Sequence, residues 1–146
     1  MPKEIQKYTT HSEKETFELG YRISRELKAG DAISLEGDLG TGKTVLTKGI
    51  AAGLGVSNPI TSPTFTLVNS YEGRCTLHHF DVYRVGDSEE LLEIGWEEYF
   101  AGDAVCIVEW GDRISDILPE NTIVIRIERD DRDYDSRIIT IERDVI

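Results

Sequence analysis

Gly37, Gly42, Lys43 and Thr44 stand at the spacing G-x-x-x-x-G-K-[ST], with a further glycine at Gly40. Residues of these types at this spacing build a loop for phosphate. The glycines let the backbone turn tightly and bring successive N–H groups within reach of phosphate oxygens. Lys43 carries positive charge to the β- and γ-phosphates, and the Thr44 hydroxyl is a ligand for Mg²⁺. The pattern has this meaning only where a strand enters it and a helix leaves it. Residues 32–36, with Ile33 and Leu35, read as the strand. Val45, Leu46, Ile50 and Leu54 recur at helical spacing over 43–54, and such a helix points its positive dipole end at the same oxygens. The stretch predicts a site for a nucleoside triphosphate.

A triphosphate site needs an acidic partner for its magnesium. Glu109 ends the apolar run A-V-C-I-V-E and fits a buried strand delivering one carboxylate beside Thr44. Asp81, in H-H-F-D-V-Y-R, is a second candidate, to hold a metal-bound water or to orient or deprotonate the attacking water. Which of the two activates water stays open at this level. His78 and His79 are adjacent in a predicted strand, so they face opposite sides and do not chelate one metal together; core packing is the expectation for at least one. Ser62 and Thr64, in T-S-P-T-F, lie where such proteins place a switch segment sensing the γ-phosphate, and a structural turn accounts for them equally well. Trp110 and Tyr83 stand beside the carboxylates as site or core aromatics.

Elements must place these groups. A short strand is expected over 4–9. Ser12 with Glu15 then reads as a capping box opening a helix whose apolar positions are Phe17, Leu19, Tyr21, Ile23 and Leu27, with Gly30 placed to end it. After the phosphate loop and its helix, residues 64–71 and 75–83 read as a hairpin turning at Glu72-Gly73. Asp87 and Glu90 predict a second capping box and one helix to about Phe100, with Leu91, Leu92, Ile94 and Tyr99 as its apolar positions. The buried strand 104–110 follows, then a short helix over 112–118 stopped before Pro119. A last hairpin pairs Ile123, Ile125 and Ile127 with 137–143 across the charged tip 130–135. The fold class predicted is α/β: a P-loop three-layer sandwich with a central, mainly parallel sheet and antiparallel additions from the two hairpins, its site at the carboxyl ends of the parallel strands. Residues 1–146 are expected to form a single domain.

Acidic residues outnumber basic ones 28 to 16, a formal charge of −12. A phosphate backbone or anionic membrane repels such a chain, so no direct nucleic acid and no membrane is expected. There is no apolar run long enough to span a bilayer, and the N-terminus lacks a signal-peptide core; a cytoplasmic location is expected. Cys75 and Cys106, both placed in strands, are expected to be free core thiols. The guanine-reading N-K-x-D is absent, which favours ATP. An arginine-rich lid is also absent, and room for a second substrate is small. A compact ATPase acting on a protein partner fits better than a metabolite kinase or a non-hydrolysing nucleotide-sensing module, though both remain as rivals.

G-D-L-G-T-G-K-T, S-P-T-F-T-L-V, H-F-D-V-Y-R, D-S-E-E-L and V-E-W, in this order across nearly the whole chain, resemble the TsaE (YjeE/YdiB) family. The resemblance implies a Mg²⁺-dependent ATPase, weak alone, that supports threonylcarbamoyl transfer to adenosine of tRNA through the partner proteins TsaB and TsaD. TsaD would carry out the transfer. Carried over by position, it implies Glu13, Leu39, Gly40, Thr41, Gly42, Lys43, Thr44 and Val45 as the ATP-binding set, with Ser12–Glu13 near the base. Thr44 and Glu109 would ligate Mg²⁺, and Lys43, Asp81 and Glu109 would serve hydrolysis. Where the family often has Gly-Arg before its final strand, this chain has Asp133-Tyr134.

Overall fold

A computed structural model describes residues 2–38, 40–61, 63 and 67–144. In chain order the elements are β1 (Lys3–Thr10), α1 (Glu13–Ser24), β2 (Ala32–Glu36), α2 (Lys43–Gly53), β3 (Val68–Glu72), β4 (Thr76–Asp81), α3 (Glu89–Glu93), α4 (Trp96–Ala101), β5 (Val105–Glu109), a 3₁₀ turn over Gly111–Ile117, β6 (Ile123–Asp130) and β7 (Asp133–Asp144). They form one seven-stranded sheet in the order β1-β7-β6-β2-β5-β4-β3. Its four central strands, β6, β2, β5 and β4, are mutually parallel. Antiparallel pairing is confined to the flanks, where β7 joins β6 and β1, and β3 joins β4. This is the predicted α/β sandwich.

Strand alternation sorts the core into two layers. Ile33, Leu35, Ile107, Ile125 and Ile127 face Leu19, Ile23, Leu46, Ile50 and Leu54 of α1 and α2. Phe80, Cys106 and Val108 point the other way, against Leu91, Trp96 and Ile114. The helices α1 and α2 meet backbone to backbone: a Cβ built on Gly49 would lie 2.1 Å from the Phe17 carbonyl oxygen, and one on Gly20 2.5 Å from that of Leu46. No helix of the described residues is long and apolar enough to cross a membrane.

Several local expectations need correction. The helix α1 stops at Ser24, not Gly30, because residues 26 and 27 tighten into i→i+3 bonds onto Ile23 and Ser24. Leu27 stays buried beyond the helix end, whereas Phe17 and Tyr21, two of its predicted apolar positions, are exposed. The helix expected from Asp87 to Phe100 is two short ones. Gly95, with φ of 82°, ends α3 in the left-handed conformation that glycine adopts without strain, and leaves Leu92 and Ile94 exposed. Its cap differs as well: the Asp87 carboxylate accepts the Glu89 N–H at 3.0 Å, while Ser88 occupies the cap position. Cys75 lies in the β3–β4 turn, and only Cys106 sits in a strand; both are free thiols. Burial pushes the Cys106 thiol up to about 12.

Candidate functional site

The phosphate-loop sequence joins the end of the central strand β2 to the start of α2, with Lys43 as the first helical residue. Its first glycine sits where backbone approaches backbone: a Cβ on Gly37 would come within 2.5 Å of the Ile127 carbonyl oxygen on β6. Gly42 caps α2 with φ of 110° and no side-chain bond to the first turn, so the helix opens with its N–H groups uncapped by any side chain. The Thr41 hydroxyl donates to the Asp38 carbonyl at 2.8 Å, and Arg137 Nε, from β7, donates to the Thr41 carbonyl at 2.9 Å. These bonds tie Thr41 to the start of the loop and to the final strand.

Lys43 is buried against this loop. Its Nζ donates to the carbonyls of Gly37 at 2.6 Å and Asp38 at 2.9 Å, and lies 4.0 Å from the centre of the Trp110 ring. Burial lowers its pKa from the usual lysine value; Glu109, Asp81, Asp38 and Asp112 pull the other way. Trp110 follows Glu109 in a left-handed backbone conformation, φ 65°, uncommon outside glycine. Its N–H donates to the Leu35 carbonyl at 2.9 Å, and its ring meets Tyr83 at 4.8 Å. The turn so held carries the aromatic wall beneath the lysine.

The parallel register of β4 and β5 sets Asp81 directly beside Glu109. Glu109 is 3% exposed, and its Oε2 accepts a 2.5 Å bond from Nε2 of the fully buried His79. Asp81 is half-buried and accepts the Tyr83 N–H at 3.0 Å. Burial raises the Asp81 pKa above the ordinary carboxylate value, with the Tyr83 N–H opposing. His78 points to the other face, bonded to Ser70 Oγ at 2.7 Å and edge-on to Tyr99.

Glu13, Gly40, Gly42, Lys43, Thr44, Val45, Asp81, Glu109 and Trp110 line one cavity of about 340 Å³. It adjoins a larger cleft of about 510 Å³ through four shared residues, Glu13, Gly40, Gly42 and Val45. The larger cleft adds Thr41 and Ser12 with the final hairpin's Tyr134 and Arg137. Thus those of the sequence-predicted residues that are described converge on one groove, with Thr41 on its wider side and Glu13 at the junction. Leu39, Ser62 and Thr64 lie outside the described residues. Among the described residues, no three His, Cys, Asp or Glu side chains cluster as a metal centre. Thr44, Asp81 and Glu109 supply instead one hydroxyl and two carboxylates, hard oxygen donors suited to a cation that keeps water or phosphate ligands of its own. Sequence reasoning did not find the bond of His79 to Glu109, the clamp of Arg137 on Thr41, or His11, which lines the larger cleft and bonds Ser136 Oγ at 2.8 Å. All three join residues far apart in sequence, 30, 96 and 125 positions respectively.

The family model described as threonylcarbamoyl adenosine biosynthesis protein TsaE matches residues 10–139. The chain is similar to the tRNA threonylcarbamoyladenosine biosynthesis protein TsaE of Treponema pallidum, 44% identical over 118 residues, 81% of this chain and 87% of that protein. It is equally similar to the Bacillus subtilis protein of that name, 44% identical over 124 residues, 84% and 77% of the two chains. The solved structure of Bacillus subtilis YdiB superposes with a TM-score of 0.81 at 38% identity, over 98% of this chain and 88% of that one.

Proposed function

The chain belongs to the TsaE family of threonylcarbamoyladenosine biosynthesis proteins, and on that premise we propose that it binds and hydrolyses Mg²⁺-ATP in support of threonylcarbamoyl transfer to tRNA by a TsaB–TsaD complex. One observation carries the reading: Lys43, Thr44, Asp81 and Glu109 line a single cavity at the carboxyl ends of three parallel strands, against an uncapped helix N-terminus. The larger adjoining cleft takes the nucleoside, between α1 and the final hairpin.

Magnesium, when bound, would neutralise phosphate charge. The chain's own residues do the rest. Thr44 and Glu109 hold the cation. Lys43 exchanges the carbonyls of Gly37 and Asp38 for phosphate oxygens, which return to it the hydrogen bonds it gives up. Asp81 orients the attacking water and takes its proton. The division between the carboxylates follows from the bonding: one Glu109 oxygen is committed to His79, while Asp81 is more open and its raised pKa favours holding a proton.

The test is phosphate release from Mg²⁺-ATP by the purified protein, alone and with the TsaB–TsaD pair. Slow turnover that changes when the pair is added is the expected result. Turnover indifferent to the pair would sever the partner link. Tight ATP binding without turnover in either case would make the chain a nucleotide sensor, and phosphate appearing on a small hydroxyl compound would make it a kinase.

A further inference from the structure

The His79–Glu109 bond lies beneath the site, and the reading above gives His79 itself no role. Both side chains are out of solvent, at 0% and 4% exposure, and the bond between them is 2.5 Å long. A carboxylate only accepts, so the hydrogen sits on Nε2. Nδ1, the other ring nitrogen, is buried and without a hydrogen-bond partner among the described residues. Such an orphan costs stability, and an apolar side chain in that place would avoid the cost. Packing alone therefore gives no reason for an imidazole here. The bond to Glu109 does.

The strands explain how the bond arises. Asp81 and Glu109 are neighbours in the β4–β5 register, and His79 stands two residues before Asp81, on the same face. His79 thus meets Glu109 from below, while Glu109 and Asp81 both line the cavity with Thr44. An unheld glutamate here would be free to turn toward Lys43, which lines the same cavity.

We infer that His79 is a positioning residue: its Nε2–H holds one oxygen of Glu109 and leaves the other aimed at the cation position beside Thr44. The inference rests on the ATPase reading for what that oxygen binds, but not for the bond itself. A ligand held from behind in this way keeps one rotamer, and loss of such a support weakens metal affinity or activity by about 10- to 100-fold.

The experiment has two arms. In the nucleotide-free protein, long-range ¹H–¹⁵N NMR of the histidine rings should show His79 carrying a hydrogen on Nε2. Its proton should lie far downfield, protected from exchange, and should lose that position in Glu109→Gln. A ring protonated on Nδ1 alone, or exchanging freely, overturns the inference whatever the protein hydrolyses. In the second arm, His79→Leu and His79→Gln are titrated with ATP, with and without Mg²⁺, and assayed for turnover. The leucine variant should lose about 10- to 100-fold in Mg²⁺-dependent binding or kcat, with metal-free ATP affinity unchanged. Glutamine, which keeps an N–H donor, should recover most of the loss. Two variants indistinguishable from the wild type, or equally impaired with metal-free binding lost too, overturn the positioning role. Failure of the wild type itself to bind Mg²⁺-ATP would instead count against the proposed function, and the first arm would still decide the bond.

Discussion

Asp81 is kept at a cost to the fold. Burial raises its pKa and the adjacent Glu109 adds to the rise, against the Tyr83 N–H, His79 and Lys43. A carboxyl whose folded pKa lies above its unfolded value leaves the folded state holding more protons just above the ordinary carboxylate pKa. Stability therefore falls as pH rises through that window, and the penalty stands in full at neutral pH. Asn at position 81 keeps an oxygen for the Tyr83 N–H and carries no charge to desolvate. Asp81→Asn should accordingly melt at a higher temperature than the wild type at pH 7, with the gap closing as pH falls toward 4. It should bind Mg²⁺-ATP and lose at least about 100-fold in turnover, the scale of a removed general base. Melting curves across pH, paired with a turnover assay, check both halves. A variant that melts lower at pH 7 would remove the desolvation account, and one that hydrolyses normally would remove Asp81 from the chemistry.

Two helices hold opposite rims of the groove, and their mutual packing fixes its width. The first turn of α1 presents Glu13 and the first turn of α2 presents Lys43 and Thr44 to the same cavity. Gly49 lets the two backbones touch, and a methyl group there would meet the Phe17 carbonyl at 2.1 Å. Gly49→Ala should cost about 1–3 kcal/mol, roughly 3–10 °C in Tm for a chain of this size, and should weaken ATP binding by moving α1 off α2. Calorimetric melting and an ATP titration measure the two effects; an unchanged Tm would mean that the contact relaxes freely. The elements themselves were legible where the signal is local. The glycine spacing with its flanking strand and helix, the Ser12 cap, and the apolar run into Glu109 all rest on residues within a few positions of one another. The Ser12 hydroxyl does accept the Glu15 N–H, while the Glu15 carboxylate reaches one residue further than a capping box requires, to the His11 N–H. Hydrophobicity alone did not tell which apolar residues of α1 would be covered, since Phe17 and Tyr21 carry the same signal as Leu19 and Ile23. Gly95 was a stop hidden inside an apparently continuous pattern. The support of Glu109 was not legible because His79 lies 30 positions away and meets it only once β4 and β5 pair in one register.

The whole molecule carries a formal charge of −12, and seven of its sixteen Lys and Arg side chains are engaged within it as follows. Lys43 and Arg137 hold the phosphate loop, Arg74 donates to the Ser24 carbonyl, and Lys3, Arg126, Arg132 and Arg143 pair with Asp144, Glu36, Asp130 and Glu26. These seven are spread over β1, α2, the β3–β4 turn, β6, β7 and the turn between the last two, each with a partner inside the protein. Nucleic-acid affinity at ordinary salt comes mainly from counterions released by a basic stripe, and an acidic surface reverses the sign of the steering. For a member of a tRNA-modification family with this acidic excess, the expectation is that RNA is reached through another protein. Labelled tRNA titrated with the chain alone, at about 0.15 M salt, should therefore show no binding tighter than about 10⁻⁴ M, the weak limit of non-specific association. In the presence of the TsaB–TsaD pair, the tRNA should be held by the assembly, and ATP turnover should respond to the pair before any RNA is added. Tight, salt-sensitive binding by the isolated chain would contradict the charge argument.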